Sequence, residues 1–167
     1  MPMRRQQHDA VLRRHAPAHR FSLDVGYPEP PMTTVRCETI TANDYPLTVH
    51  VRSHELRSDL SAGSGGADSA PGAHDFFDIS LATCKAHTAL WYAKRKGIPL
   101  ERVEAVVESD ASQERQGVYK MRVRLALFGP LTAEQRATVL RAAAACPVTK
   151  LMTTSEVQIE TVEVEGP

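Results

Sequence analysis

Apolar and polar residues alternate along several stretches of this chain, as they do in strands that bury one face. Alternation over 33–52, broken by a turn at 43–46, predicts a first antiparallel hairpin. A second alternating pair, 103–108 and 119–127, flanks a polar segment at 109–117 and predicts a second hairpin. The alternation over 157–164 predicts a closing strand.

Two segments have the composition of helices. Residues 75–96 are apolar nearly all round in the first half, which is typical of a buried helix, and they end in cations before Gly97. Thr132 and Gln135 form a capping-box pattern that predicts a second helix, running to about Ala145 before Pro147. The order of hairpin, buried helix, hairpin, helix and strand predicts an α+β fold with largely antiparallel sheets.

Composition limits the classes of function. The 167 residues, 42% of them hydrophobic, suffice for one ordinary core. A net charge of zero gives no electrostatic reason to expect nucleic acid or an anionic membrane as a partner. No apolar run reaches eighteen residues, and the start of the chain lacks the apolar stretch of a secretory signal. We therefore expect a cytoplasmic protein.

The chain divides into an unusual beginning and one domain. Residues 1–32 carry five arginines and five prolines with little apolar periodicity. Such a segment is either a disordered extension or a targeting arm, and the acidic residues among the arginines favour the extension. Residues 33–167 form the predicted domain, in which the glycine-rich stretch 61–72 is an irregular loop.

Two of the three cysteines carry the candidate chemistry. Cys84 lies within the apolar helix, and Cys146 stands where the second helix stops at Pro147. Two thiols brought from different elements toward one core can form and break a disulfide. The alternative for either is an inert buried side chain, and that is the expectation for Cys37 on its strand.

The residues around these cysteines resemble those of the OsmC/Ohr family of thiol-dependent peroxidases. The similarity covers about 33–164 and is carried by the segments 81–84, 92–100, 128–132 and 146–148. It is closest to the broad OsmC-like branch. The resemblance implies an OsmC-like fold built as an intertwined homodimer, with each central helix buried among elements of both chains.

The resemblance also implies roles for the two thiols. Cys84 would be the peroxidatic cysteine and Cys146 the resolving one, in a cycle restored by an external dithiol reductant such as a lipoyl-type compound. No cofactor is implied. A thiol buried in apolar surroundings needs a cation or hydrogen-bond donor nearby to ionise.

Several residues are candidates for activating Cys84. His87, one turn later, either polarises the thiolate or is held by backbone or water. His74 occupies the position of a glutamate in hydroperoxide-resistance members, and Asp75 either matches a carboxylate of OsmC-like members or caps the helix, which we favour. Arg52 and Arg57 are the candidate arginine partners, with solvated surface charges as the alternative. Lys85, about 100° round the helix from Cys84, is expected to reach solvent.

These features predict a thiol-dependent reductase for organic hydroperoxides, with a pocket lined by Phe76, Phe77, Leu81 and Trp91. The alternative is a non-catalytic OsmC-like dimer that binds a small apolar ligand or senses oxidants. A metal site using Cys84, His87 and Cys146 is the least favoured, because zinc usually takes four ligands, or three and water.

Overall fold

The protein has an α+β fold with antiparallel sheets, as the sequence pattern predicted. It is known from a computed structural model that describes residues 33–165, so the extension predicted for 1–32 lies outside the described residues. The elements are β1 (Val35–Thr39), β2 (Leu47–Val51), β3 (His54–Ser58), α1 (Ala73–Lys96), β4 (Arg102–Gln113), β5 (Val118–Phe128), α2 (Ala133–Ala144) and α3 (Pro147–Thr153). None of the helices in this part of the chain is both long enough and apolar enough to cross a bilayer.

The first sheet has three antiparallel strands in the order β1-β2-β3. The predicted hairpin is confirmed, with Cys37 opposite Val49. The sequence pattern did not predict β3, which adds to the other edge of β2 with Leu56 opposite Val49. Leu56 is the single apolar residue of β3, so this strand has no alternation to reveal it.

The second sheet is one long hairpin of β4 and β5, paired from Arg102 opposite Phe128 to Gln113 opposite Val118. Both strands extend beyond the predicted limits, and 109–113, predicted as part of the connection, belong to β4. The connection itself is a short 3-10 turn that ends at Gly117, whose φ of 79° is the left-handed conformation that glycine adopts readily.

Helix α1 packs against β4, α2 and α3. Its buried residues, Leu81, Lys85, Ala89 and Ala93, recur every four positions and form one stripe. Three alanines at the contact between α1 and α2 let the helices approach closely: Ala89, Ala93 and Ala143 are essentially inaccessible to solvent. The first half of α1 is less buried than its composition predicted, since Phe77 and Ile79 remain more than two-fifths exposed in the single chain.

The capping box predicted for the second helix is confirmed. The Thr132 hydroxyl accepts the Gln135 N–H at 3.2 Å, and the Gln135 side chain accepts the Thr132 N–H at 2.9 Å. Helix α2 ends at Ala144, and α3 follows after Cys146 with Pro147 in its first turn. Proline there costs nothing, because the first N–H groups of a helix have no intrahelical partner.

The closing strand predicted for 157–164 is wrong. The described residues that follow α3 form neither helix nor strand. Val157 and Ile159 are 59% and 84% exposed. Alternation shows which face of a strand would be buried, but a strand forms only where an open sheet edge accepts its hydrogen bonds. In the described chain no edge pairs with this segment.

Candidate active site

Cys84 and Cys146 meet where α1 packs against α3. Cys84 lies in the middle of α1 and is half-buried, whereas Cys146 is fully buried at the junction of α2 and α3. Both are free thiols, and they lie close enough for each to shift the pKa of the other. The structure thus brings together the two thiols that the sequence pattern singled out, and it makes one of them more accessible than the other.

Cys146 is the N-cap residue of α3 and receives hydrogen bonds from the first turn of that helix. The Thr149 N–H donates to its sulfur at 3.4 Å, and the Thr149 hydroxyl lies 3.1 Å from the same atom. Burial alone would raise the pKa of Cys146. The two Thr149 groups, the hydrogen bond from Cys84 and the charge of Lys85 together lower it below its ordinary value.

Lys85 is buried beside this pair, at 9% exposure. Its Nζ donates to the Thr149 hydroxyl at 3.0 Å and to the Ala143 carbonyl at 3.3 Å. The expectation that Lys85 reaches solvent was therefore wrong. The residue lies four positions from both Leu81 and Ala89, on the stripe of α1 that faces α2 and α3.

Cys84 has the opposite electrostatic setting. Burial raises its pKa, and the hydrogen bond to Cys146 together with the negative charge there raises it further. The Val148 backbone and the Thr88 side chain, whose hydroxyl donates to the Cys84 carbonyl at 2.7 Å, lower the pKa of Cys84 without cancelling these effects. In the isolated chain Cys146 is therefore the thiol of the pair that ionises more readily.

The other ionisable candidates on α1 do not contact the thiols. His87 is exposed, and no hydrogen bond or ion pair joins it to another described residue. Asp75 is the third residue of α1 and not its N-cap as we favoured, but its carboxylate accepts the N–H of the N-cap residue Gly72 at 2.7 Å and so caps the helix from within. His74 pairs with Glu114 at 2.8 Å, and this contact raises the pKa of His74. Ten residues of helix place His74 about 15 Å from Cys84 along the axis.

The two candidate arginines lie on the first sheet. Arg52 is exposed in the turn between β2 and β3, and Arg57 is exposed on β3 opposite Thr48. Within residues 33–165, neither forms a hydrogen bond or ion pair with a cysteine. Activation of Cys84 by either arginine stays a prediction.

The predicted pocket residues are spread along one helix. Leu81 is buried, Phe76 and Trp91 are half-buried, and Phe77 is exposed with its ring 5.8 Å from that of Tyr119. Trp91 stacks under the Arg95 guanidinium at 5.0 Å. A depression of about 410 Å³ between the glycine-rich loop, α1 and β4 has none of the four in its lining.

Sequence reasoning missed Lys85 and Thr149 as parts of the site. The usable signal was Cys146-Pro147, since a small polar side chain followed by proline is a helix-start pattern, and Thr149 then occupies the third helical position. No cluster of three or more histidine, cysteine or acidic side chains able to hold a metal ion occurs in the described part of the chain.

The chain belongs to the OsmC-like protein family, whose model matches residues 65–162. No curated protein sequence matches it closely enough to serve as a relative. Solved structures are similar in fold. An osmotic-stress-induced and detoxification response protein from Psychrobacter arcticus aligns with a TM-score of 0.62 at 18% identity, over 75% of this chain and 91% of that one.

Two structures named for hydroperoxide resistance are also similar. The organic hydroperoxide resistance protein OsmC of Legionella pneumophila has a TM-score of 0.55 at 18% identity, over 74% of this chain and 90% of that one. One from Vibrio cholerae, with captopril in one of its active sites, has a TM-score of 0.53 at 22% identity, over 77% and 89%. At these identities the structures establish the fold.

Proposed function

We propose that this protein is a thiol-dependent reductase of organic hydroperoxides that works through a Cys84–Cys146 disulfide. The observation that carries the proposal is the proximity of the two thiols, which shift each other's pKa, one of them half-buried and the other fully buried. Membership of the OsmC-like family and the names of the Legionella and Vibrio proteins support hydroperoxides as the substrate class.

The proposed reaction has three steps. The Cys84 thiolate attacks the distal oxygen of the hydroperoxide, breaking the O–O bond and giving Cys84 sulfenic acid and an alkoxide, which takes up a proton to become the alcohol. Cys146 then attacks the Cys84 sulfur, forming the disulfide and releasing the oxygen as hydroxide, which takes up a proton to become water. An external dithiol reduces the disulfide, itself becoming oxidised, and returns both thiols.

Exposure favours this assignment of roles. Cys84 is the accessible sulfur and can meet a substrate, whereas Cys146, with no exposed surface, can reach only Cys84. Leu81, one turn before Cys84, offers apolar contact for an alkyl group. Phe76, Phe77 and Trp91 as further pocket residues, and Arg52, Arg57, Asp75, His74 and His87 as activating groups, remain predictions.

Cysteine variants test the proposal. Cys84→Ser should abolish hydroperoxide consumption, while Cys146→Ser should react once and stall as the sulfenic acid. The matched control is Cys37→Ser, which changes an exposed cysteine on β1 and should keep full turnover. Consumption that survives in Cys84→Ser would remove this function.

The central helix also bears on assembly. Phe77, Ile79 and Leu90 are each between 39% and 44% exposed in the single chain, which is unusual for the middle helix of a fold. We propose that a second copy covers this surface, as the family resemblance implies. Light scattering should then give about twice the 18.4 kDa chain mass. A monomer at micromolar concentration would contradict the dimer. The cytoplasmic location also remains a prediction.

The alternative is an oxidant sensor or ligand-binding dimer without turnover. The raised pKa of Cys84 favours it, because less of the thiol is ionised and attack is slower. The sensor would lose about 2 Da per chain on adding one equivalent of hydroperoxide, yet show no sustained consumption with a dithiol such as dihydrolipoamide. Sustained consumption would exclude it.

A further inference from the structure

We propose that Lys85 and Thr149 are positioning residues that hold one negative charge on Cys146, so that Cys146 accepts the proton of Cys84 before it acts as the resolving thiol. This inference rests on the proposed function for its catalytic meaning. Its structural content concerns the reduced protein alone and can be tested without any hydroperoxide.

Lys85, Thr149 and Cys146 are joined by hydrogen bonds that run in one direction, toward the Cys146 sulfur. A lysine ammonium has three donors and no acceptor, so at 3.0 Å from Thr149 it must donate to the hydroxyl oxygen. The hydroxyl proton is then available for the Cys146 sulfur, 3.1 Å away. With the Thr149 N–H also directed at this sulfur, Cys146 receives two donors from one residue. A sulfur that accepts in this way is suited to the thiolate form.

The positive charge of buried Lys85 also favours a negative charge close by. A buried ammonium needs a nearby anion, because removing a charge from water is costly. Within residues 33–165, no carboxylate lies within 4.0 Å of the Lys85 Nζ. Helix α2 offers the Ala143 carbonyl, and the single ionisable residue of α3, Lys150, is exposed. The anion that this hydrogen-bond network offers Lys85 is a Cys146 thiolate, which lies beyond the Thr149 hydroxyl and whose pKa the charge of Lys85 lowers.

The position of Lys85 selects Cys146 as the site of that charge. The relay through Thr149 ends on the Cys146 sulfur, and no hydrogen bond within residues 33–165 joins Lys85 to the sulfur of Cys84. The interaction between the two thiols lowers the pKa of Cys146 and raises that of Cys84, which favours Cys146 as the site of the charge.

Transfer of a proton from Cys84 to Cys146 leads to a series of reaction steps in which atoms and charges balance. The proton of Cys84 moves to Cys146, and the Cys84 thiolate takes the distal oxygen of ROOH, leaving the alkoxide RO⁻. RO⁻ recovers a proton from Cys146 and leaves as ROH, so Cys146 is again a thiolate. That thiolate attacks the Cys84 sulfenic acid, forming the S–S bond and releasing hydroxide. One proton, two sulfurs and ROOH thus give a disulfide, ROH and hydroxide.

The test is an absorbance titration of thiolate in the reduced protein, in a Cys37→Ser background that leaves two cysteines per chain. We expect one thiolate to form clearly below the ordinary cysteine value of about 8.5 and the second above it. Cys84→Ser should retain the first ionisation and Cys146→Ser should lose it, which assigns the charge to Cys146.

The positioning residues are tested in the same titration. Lys85→Met and Thr149→Val should each raise the first ionisation by about one pH unit. Thr149→Ser keeps the hydroxyl and should behave as the parent does. The matched control is Lys94→Met, which removes an exposed lysine from the same helix and should change nothing. Thr149→Val matches the parent side chain in shape, so it provides the measurement should Lys85→Met fail to fold.

Two results would overturn the inference: a first ionisation unchanged in folded Thr149→Val or Lys85→Met, or a low ionisation that survives in Cys146→Ser. The rate of disulfide formation at pH 7 supplies an independent readout and should fall about tenfold in both positioning variants. If the titration behaves as expected but the parent consumes no hydroperoxide, the Lys85–Thr149 pair stands and the proposed function falls.

Discussion

Gly129 connects β5 to the segment that leads into α2, and replacing it with alanine should destabilise the fold strongly. Its φ of 130° is a conformation that residues with a side chain rarely adopt. A Cβ built there would lie 2.3 Å from the Pro99 carbonyl oxygen and 3.1 Å from the Glu101 nitrogen. Both are backbone atoms, and Glu101 is held in place by its N–H bond to the Phe128 carbonyl at 2.9 Å. Neither backbone atom can move away from the new Cβ without a loss of stability.

The magnitude follows from two costs. A side chain held at this φ costs about 1–3 kcal/mol, and the backbone overlap adds about 1 kcal/mol or more. The free energy of unfolding of Gly129→Ala should therefore fall by about 2–4 kcal/mol. With a urea slope of about 2 kcal/mol per M, the midpoint should fall by roughly 1–2 M.

Urea unfolding followed by far-UV circular dichroism measures this change. Gly63→Ala is the matched control, because a Cβ at Gly63 meets no atom within 4 Å and its φ is not left-handed. Its midpoint should stay close to that of the parent, since a substitution without a contact usually changes stability by less than about 0.5 kcal/mol. Equal midpoints for the two variants would refute the steric argument.

Three further predictions concern the core and two ionisable groups. Val139→Ala should cost about 2 kcal/mol because Val139 is inaccessible to solvent, whereas Val106→Ala, at 38% exposure, should cost clearly less by urea unfolding. Asp59→Asn should be less stable than the parent at pH 7, and the gap should narrow below about pH 3.8, since hydrogen bonds from the Ser69 backbone and side chain lower the pKa of Asp59. A gap independent of pH would contradict this. By NMR, His74 should titrate above 6.5, and Glu114→Gln should lower the value. The stability from that pair is present below pH 6.5 and is lost as the pH rises through the raised value.

Local patterns allowed much of the fold to be predicted. The capping box at Thr132 depends on residues three positions apart, and the β4–β5 hairpin depends on alternation within each strand. Both features were visible in the sequence and both occur. The third strand escaped prediction because β3 is exposed on both faces, and pairing with β2 rather than apolar periodicity defines it.

Lys85 shows why the candidate site was only partly predictable. A helical wheel gives the angle between Lys85 and Cys84, but not which neighbouring elements cover each side of the helix. The angle of about 100° suggested solvent, yet α2 and α3 cover that side of α1. Spacing of four from Leu81 and Ala89 was the available signal for burial. A lysine in an apolar stripe then needs a partner, and the partner came from a helix that the sequence pattern did not predict.

A negative charge held on Cys146, as we propose, would make this residue more than a passive second thiol. A resolving cysteine acts only after the sulfenic acid of the other cysteine has formed. During the rest of the cycle, a resolving cysteine that is always ionised would have no electrophile to attack. In this site it would hydrogen-bond to the Cys84 thiol and serve as the base for the first step. The burial that raises the pKa of Cys84 is then tolerable, because the proton has a specific acceptor beside it. Attack by Cys84 and resolution by Cys146 would therefore depend on the same buried cation.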